Sequence, residues 1–155
     1  MPSVKRSKGN AFCVNRQMMN RRLAREVAFS IVFEYGFQKD TDIGEVYENA
    51  RIAREFEDDP YVREVVFGVV ENKDQLDELI EKNSRGWKIK RISSVSLSAM
   101  EIAVYEMLYR EDVPSAVSIN EALELVKSYD EENARAFVNG ILNAVAKEIE
   151  ASHEG

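Results

Sequence analysis

Residues 20 to 38, NRRLAREVAFSIVFEYGFQ, place one apolar residue in every turn of a helix. These apolar positions are four residues apart: Leu23, Val27, Ile31 and Tyr35. Side chains at this spacing share one face of an α-helix, and the alanines and the valine beside them widen that face. The pattern therefore predicts an amphipathic helix whose apolar face packs against other helices.

The same spacing recurs along the rest of the chain, and no stretch alternates between apolar and polar residues as a half-buried strand does. Asp59 and Pro60 are typical of a helix start, because Asp caps free amide groups and Pro fits the first turn. We expect a third helix from there to near Ser84. Ser118 and Glu121 have the spacing of a capping box, which predicts the start of a later helix.

Six or seven helices with short connections predict an all-α fold, either one helical bundle or two packed bundles. The sequence has no self-similarity at a fixed period, which argues against a repeat array. A chain of 155 residues has the length of one ordinary domain.

The composition excludes several classes of protein. Cys13 is the only cysteine, so an internal disulfide and a thiol cluster for zinc or iron–sulfur binding are excluded. No apolar stretch has the length of a membrane span, and residues 1–20 lack the apolar core of a secretory signal. We therefore expect a cytoplasmic protein with no cofactor and no membrane association.

Charge is unevenly distributed along the chain, whose formal net charge is −7. Seven of the 21 Lys and Arg residues precede the first acidic residue, Glu26, and the other 14 share the remaining sequence with all 28 acidic residues. An acidic protein repels nucleic acid unless its basic residues are clustered. The distribution predicts a basic N-terminal region on an acidic body, and residues 1–18, which lack periodicity, are expected to be a flexible basic leader.

Five short motifs occur in a fixed order: RRLARE at 21–26, IAVYE at 102–106, DVP at 112–114, INEA at 119–122 and FVNGIL at 137–142. Together they resemble the motifs of the NusB family of transcription antitermination factors, over roughly residues 20–150. An arginine-rich segment alone would be weak support. The whole ordered set is specific.

This resemblance implies a NusB-like all-helical domain over residues 19–155, made of two small bundles at about 19–86 and 87–152. It also implies binding to single-stranded boxA-type RNA in nascent ribosomal RNA transcripts, with ribosomal protein S10 (NusE) as a partner. In the family this pair promotes antitermination within the transcription elongation complex. The resemblance leaves open whether the chain is a monomer or a homodimer.

The N-terminal helix carries a candidate RNA-binding strip. At 100° per residue, Arg22, Arg25 and Phe33 fall within a sector of about 80° that also contains Phe29. Arginines bind phosphate oxygens and unpaired bases stack on aromatic rings, so this strip suits single-stranded RNA. We predict that Arg21, Arg22, Arg25 and Phe33 bind RNA and that Phe29 belongs to the core. The alternative is a solvated basic face on an ordinary core helix.

The start of the last helix supplies two further candidates, Arg135 and Phe137. Phe137 lies to the side of that helix's apolar stripe, so its ring need not be buried. By resemblance, this helix start lies beside the N-terminal basic helix and completes the RNA site; the alternative is that Phe137 fills the gap between the bundles. Gly140 is expected to allow close approach of another helix, because Gly inside a helix costs about 1 kcal/mol relative to Ala.

A second basic run surrounds Trp87, and it consists of Lys82, Arg85, Lys88, Lys90 and Arg91. This run either extends the RNA path or forms a solvated connector that Trp87 anchors in the core. We favour the anchored connector.

Catalysis has no support in the sequence. His153 is the only histidine and lies two residues before Gly155, so Ser–His or Cys–His chemistry lacks a suitable base. Paired acids such as Asp58 and Asp59 lie at predicted helix starts, where capping accounts for them. We predict a protein that is not an enzyme and has no metal site. The main alternative to RNA binding is an adaptor bundle that binds only protein partners.

Overall fold

A computed structural model describes residues 19 to 154, and these contain seven α-helices and no β-strand. The helices are α1 Arg21–Tyr35, α2 Ile43–Arg54, α3 Pro60–Glu71, α4 Lys73–Lys82, α5 Ser94–Tyr109, α6 Ser115–Tyr129 and α7 Ala134–Glu154. A 3-10 turn, Ile89–Arg91, precedes α5. The predicted all-α fold with six or seven helices is confirmed. The leader predicted at 1–18 lies outside the described residues.

The chain divides into two compact units between Val70 and Glu71. This division does not coincide with the bundle boundary that we predicted between residues 86 and 87. The apolar pattern of residues 62–80 indicated one continuous helix, but the helix ends at Glu71 and a new one begins after Asn72. Since α4 packs against α5 and α7, it belongs to the second unit.

The first unit is built from α1, α2 and α3. Asn20 caps α1 by accepting a hydrogen bond from the Leu23 amide at 2.8 Å. Asp59 Oδ1 accepts from the amides of Tyr61 and Val62 at 2.9 and 3.1 Å, which confirms the predicted start of α3. The side chains that fill the core are Val27, Ala28, Ile31, Val46, Tyr47, Val65 and Val66. The middle of the apolar face predicted for α1, at Val27 and Ile31, is therefore buried, and Leu23 and Tyr35 at its two ends are half-buried.

The second unit is organised around α5, which packs against α4, α6 and α7. A helix surrounded in this way is buried on all sides, and even Glu101 and Glu106 have almost no exposed surface. The apolar stripe of α7 packs here, and its fully buried members are Val138, Leu142 and Val145.

The capping box predicted at Ser118 is wrong. Helix α6 begins earlier, at Ser115, directly after Pro114. Ser118 instead lies within the helix, and its hydroxyl donates a hydrogen bond of 2.7 Å to Glu106 Oε1. Both residues are buried, and a buried carboxyl group needs such a partner.

Candidate nucleic-acid interface

The first turn of α1 presents two exposed arginines, Arg21 and Arg22. The guanidinium carbon of Arg21 lies 4.3 Å from the centroid of the Tyr61 ring, which is a cation–π distance. Tyr61 is buried in the first turn of α3 and so forms a fixed platform under the Arg21 side chain. No pattern in the sequence indicated this contact, because only folding brings residues this far apart in the chain together.

The sequence predicted that Arg25 binds RNA, which needs an exposed side chain. In the structure this side chain is buried. Only 6% of its surface is exposed, and its guanidinium carbon lies 5.8 Å from the centroid of the same Tyr61 ring. Arg25 follows Arg21 by one helical turn, so both side chains point towards α3. Its side chain supports the Tyr61 platform instead of extending into solvent.

A row of three aromatic rings runs along the second half of α1. Phe29 is 4% exposed, which confirms its assignment to the core. The ring of Phe33 is half-buried and lies 6.1 Å from Phe29 and 5.2 Å from Phe37, between ring centroids. Phe37, just beyond the end of α1, is 68% exposed. The row therefore leads from the core to the surface, and Phe37 extends the spacing of four residues that Phe29 and Phe33 begin.

The acidic residue next to this row, Glu34, has its charge countered. Arg54 Nη2 lies 3.5 Å from Glu34 Oε1, and Gln38 Nε2 donates to Glu34 Oε2 at 3.1 Å. Arg54 Nη1 also donates to Ser30 Oγ at 2.7 Å. Burial lowers the pKa of Arg54 and the charge of Glu34 acts against that effect. The negative charge beside the ring row is therefore partly neutralised.

The second unit carries its own ring pair. Phe137 is half-buried in the first turn of α7, and its ring centroid lies 5.8 Å from that of Trp87, with an edge-to-face angle of 67°. Arg135 in the same turn is exposed. Trp87 is 49% exposed, so our expectation that it anchors the connector in the core is wrong.

A tight turn accounts for the position of Trp87. The Trp87 amide donates to the Ser84 carbonyl oxygen at 3.2 Å, and the two residues between them, Arg85 and Gly86, have φ values of 54° and 90°. Positive φ at both central positions is the pattern of a type I′ turn. This turn carries the indole to the surface beside Phe137.

Two open cavities flank the ring pair. The larger, of about 400 Å³, is lined in part by Arg91, Ser96, Asp130 and Glu131. Burial acts to raise the pKa of Asp130, but hydrogen bonds from Ser93 and Ser96 hold this pKa below its usual range. The wall of this cavity therefore carries negative charge. The smaller, of about 280 Å³, is lined by Asn83, Ser84, Arg85, Trp87, Ala136, Phe137, Gly140 and Ile141. None of the residues that line the smaller cavity is acidic.

Among residues 19 to 154, no helix is both long enough and apolar enough to cross a membrane. Nor do the His, Cys, Asp and Glu side chains of these residues come together in a group of three or more that could hold a metal ion.

The described residues define an all-helical protein in which exposed arginines and aromatic rings lie together, an arrangement typical of proteins that bind single-stranded nucleic acid. Residues 22–147 match the model of the NusB family, and the chain belongs to this family.

Relatives agree with this assignment. The chain is 43% identical over 132 residues to the transcription antitermination protein NusB of Ruminiclostridium cellulolyticum, covering 83% of this chain and 90% of the relative. Its fold matches that of T. maritima NusB with a TM-score of 0.75 and 33% identity, covering 85% and 94% of the two chains. A chain in the crystal structure of antitermination factors NusB and NusE in complex with dsRNA matches with a TM-score of 0.74 and 25% identity, covering 83% and 96%.

Proposed function

We propose that this protein binds single-stranded boxA-type RNA in nascent ribosomal RNA transcripts, together with ribosomal protein S10 (NusE), and so promotes transcription antitermination. The observation that carries the proposal is the pair of exposed arginines at the start of α1, on the same helix as the ring row that reaches the surface. Membership of the NusB family supports it, as does the solved relative that was crystallised with NusE and dsRNA.

Within this proposal, Arg21 and Arg22 contact phosphates and Phe33 stacks on an unpaired base. Arg135 and Phe137 of α7 are proposed as the second group of RNA contacts. Arg25 acts indirectly, by supporting the Tyr61 ring under Arg21. The protein acts in the cytoplasm as a binding factor within the transcription elongation complex and not as an enzyme.

The charge balance sets the expected strength of binding. Stacking contributes about 1–3 kcal/mol per base, and each neutralised phosphate adds an affinity that falls with salt. The net charge of −7 opposes the approach of a polyanion, so we expect weak RNA binding by this protein alone. Binding is expected to be stronger with S10 present.

The test measures the fluorescence anisotropy of labelled boxA RNA, a scrambled RNA of the same composition and a duplex, with and without S10. The double variant Arg21→Glu with Arg22→Glu is expected to weaken boxA binding at least tenfold. Arg25 is left unchanged because a reversed charge at a buried position would disturb folding.

The matched control is the double variant Lys127→Glu with Lys147→Glu, which changes the net charge equally at exposed positions of α6 and α7. It is expected to bind boxA RNA nearly as well as the unmodified protein. Equal affinity for boxA and scrambled RNA in the presence of S10 would contradict the proposal. If the Arg21 and Arg22 variant retained full RNA binding, the adaptor reading would be favoured.

A further inference from the structure

We propose that the smaller cavity, between Trp87 and Gly140, receives one unpaired base of the RNA, with the base against the indole ring and Arg85 at a flanking phosphate. This inference rests on the proposed function and adds Trp87, Arg85 and Gly140 to the contacts. None of these three residues was among the predicted RNA contacts, although an RNA path extended along the basic run around Trp87 was the less favoured of the two readings of that run.

Gly140 is the first argument. It lies inside α7, where Gly is less favourable than Ala, so a reason for its presence is needed. We expected that reason to be a second helix in close contact, and this is wrong: apart from the two chain neighbours and the local backbone of α7, no atom of the described residues lies within 4 Å of where a Cβ at position 140 would stand. Gly140 lines the cavity, and the space that a side chain at this position would occupy is left open by the described residues.

The turn that holds Trp87 is the second argument. Arg85 adopts a φ of 54°, a conformation that residues with a Cβ rarely take and that carries strain. The strained turn places an apolar ring half in solvent and a cation on the wall of the same cavity. Folding alone does not require this arrangement, because a buried Trp87 would remove more apolar surface from water.

Charge and size identify the occupant as a base of a polyanion. The cavity, of about 280 Å³, has room for a small planar group, and the rings of Trp87 and Phe137, which meet edge to face, both form part of its wall. Arg85 lies on its wall without an acidic neighbour in the lining, and the exposed Lys88 and Lys90 continue from it along the connector. The larger cavity has Asp130 and Glu131 on its wall and would repel a phosphate.

Trp87 is the only tryptophan in the chain, so its fluorescence reports on the two cavities that flank it. Gly140 lines only the smaller cavity, so a variant at this position tells the two apart. The full chain is titrated with a boxA oligonucleotide of about 12 nucleotides while Trp fluorescence and the anisotropy of the labelled RNA are recorded in parallel. We expect the Trp signal to be quenched with the same midpoint as the anisotropy change. The variant Trp87→Leu is expected to lose about tenfold in affinity.

Gly140→Ala separates binding from folding, because the two effects have opposite signs. The added methyl group meets open space and improves helix propensity, so the Tm is expected to rise by about 2–4 °C. The same methyl group narrows the cavity, so RNA affinity is expected to fall several-fold. Asn143→Ala is the matched control, since it also improves propensity on an exposed position of α7 but does not line the cavity.

The possible results distinguish the two proposals. In one result, anisotropy shows RNA binding, but Trp87 fluorescence is not quenched and Gly140→Ala binds RNA as tightly as the unmodified protein. This result would overturn the cavity assignment and leave the proposed function standing. Quenching of Trp87 by S10 without RNA, and none by RNA, would assign the cavity to a protein partner and also overturn it. Absence of RNA binding, with and without S10, would reject both.

Discussion

Glu101 on α5 allows a sharp test of how the second unit is stabilised. Lys73 Nζ lies 2.7 Å from Glu101 Oε2 and 2.9 Å from Asp77 Oδ2, so two carboxyl groups share one ammonium. Glu101 is 3% exposed, and burial together with the hydrogen bond to Asp77 raises its pKa to about 8. Burial also acts to lower the pKa of Lys73, but the charges and hydrogen bonds of the two acids raise it overall. A proton retained on Glu101 leaves the negative charge of Asp77 to balance the positive charge of Lys73.

The direction of the pH effect follows from the raised pKa. The unfolded chain loses the Glu101 proton near pH 4.5, whereas the folded protein keeps it to about pH 8. The stability that this group contributes is therefore complete below pH 4.5 and is lost as the pH rises to 8. At about 1.4 kcal/mol per pKa unit the loss is at most about 5 kcal/mol. Because Glu101 titrates together with the charged groups in contact with it, we expect about 2–3 kcal/mol.

The substitution Glu101→Gln replaces the protonated acid with a neutral group of the same shape. The free energy of unfolding of the unmodified protein, minus that of the variant, should fall by about 2–3 kcal/mol between pH 5 and pH 8.5. Urea unfolding followed by Trp87 fluorescence measures this, because Trp87 lies in the same unit. Glu150→Gln, at an exposed position of α7, is the control and should parallel the unmodified protein. A pH-independent difference for Glu101→Gln would refute the raised pKa of Glu101.

Three further predictions concern stability and are measured by urea unfolding with circular dichroism. Leu142→Ala empties a fully buried position of α7 and should cost about 2–5 kcal/mol; a loss below 1 kcal/mol would contradict its place in the core. Asn20→Ala removes the cap of α1 and should cost about 1 kcal/mol, whereas no loss would mean that the 2.8 Å bond to Leu23 is not formed in solution. Tyr47→Phe removes the 2.6 Å hydrogen bond to Asp58, which is the main cause of the lowered Asp58 pKa. The free energy of unfolding should fall by about 1 kcal/mol and no more, because Asp58 is half-exposed. That cost should be present above pH 4 and vanish as the pH falls through the pKa of folded Asp58; a cost that persists in acid would contradict this cause.

Local signals in the sequence predicted much of the fold. The spacing of apolar residues identified the buried face of α1, and Asp59 with Pro60 identified the start of α3. The break at Asn72 could not be predicted, because the apolar pattern continues through it and the packing of α4 decides where it lies. Ser118 was misread since its hydroxyl serves a buried carboxyl group on another helix, a partner that local spacing does not reveal.

The candidate interface was predictable only in part. The basic and aromatic residues of α1 could be selected from their helical spacing, but spacing alone did not tell which side of the sector faces α3. Arg25 and Phe29 fall on that side and are buried, while Arg22 is exposed. Trp87 is exposed because of the strained turn at Arg85. The open space beside Gly140 exists because no side chain from another described helix packs there. Both are properties of the folded chain.

The most direct test of the RNA-binding surface is a heteronuclear NMR titration of the isotope-labelled chain with a short boxA RNA. The account predicts that the largest changes occur at the amides of Arg21, Arg22, Phe33 and Phe137 and at the indole of Trp87. Changes confined to other exposed residues at saturating RNA, with these signals unmoved, would contradict it.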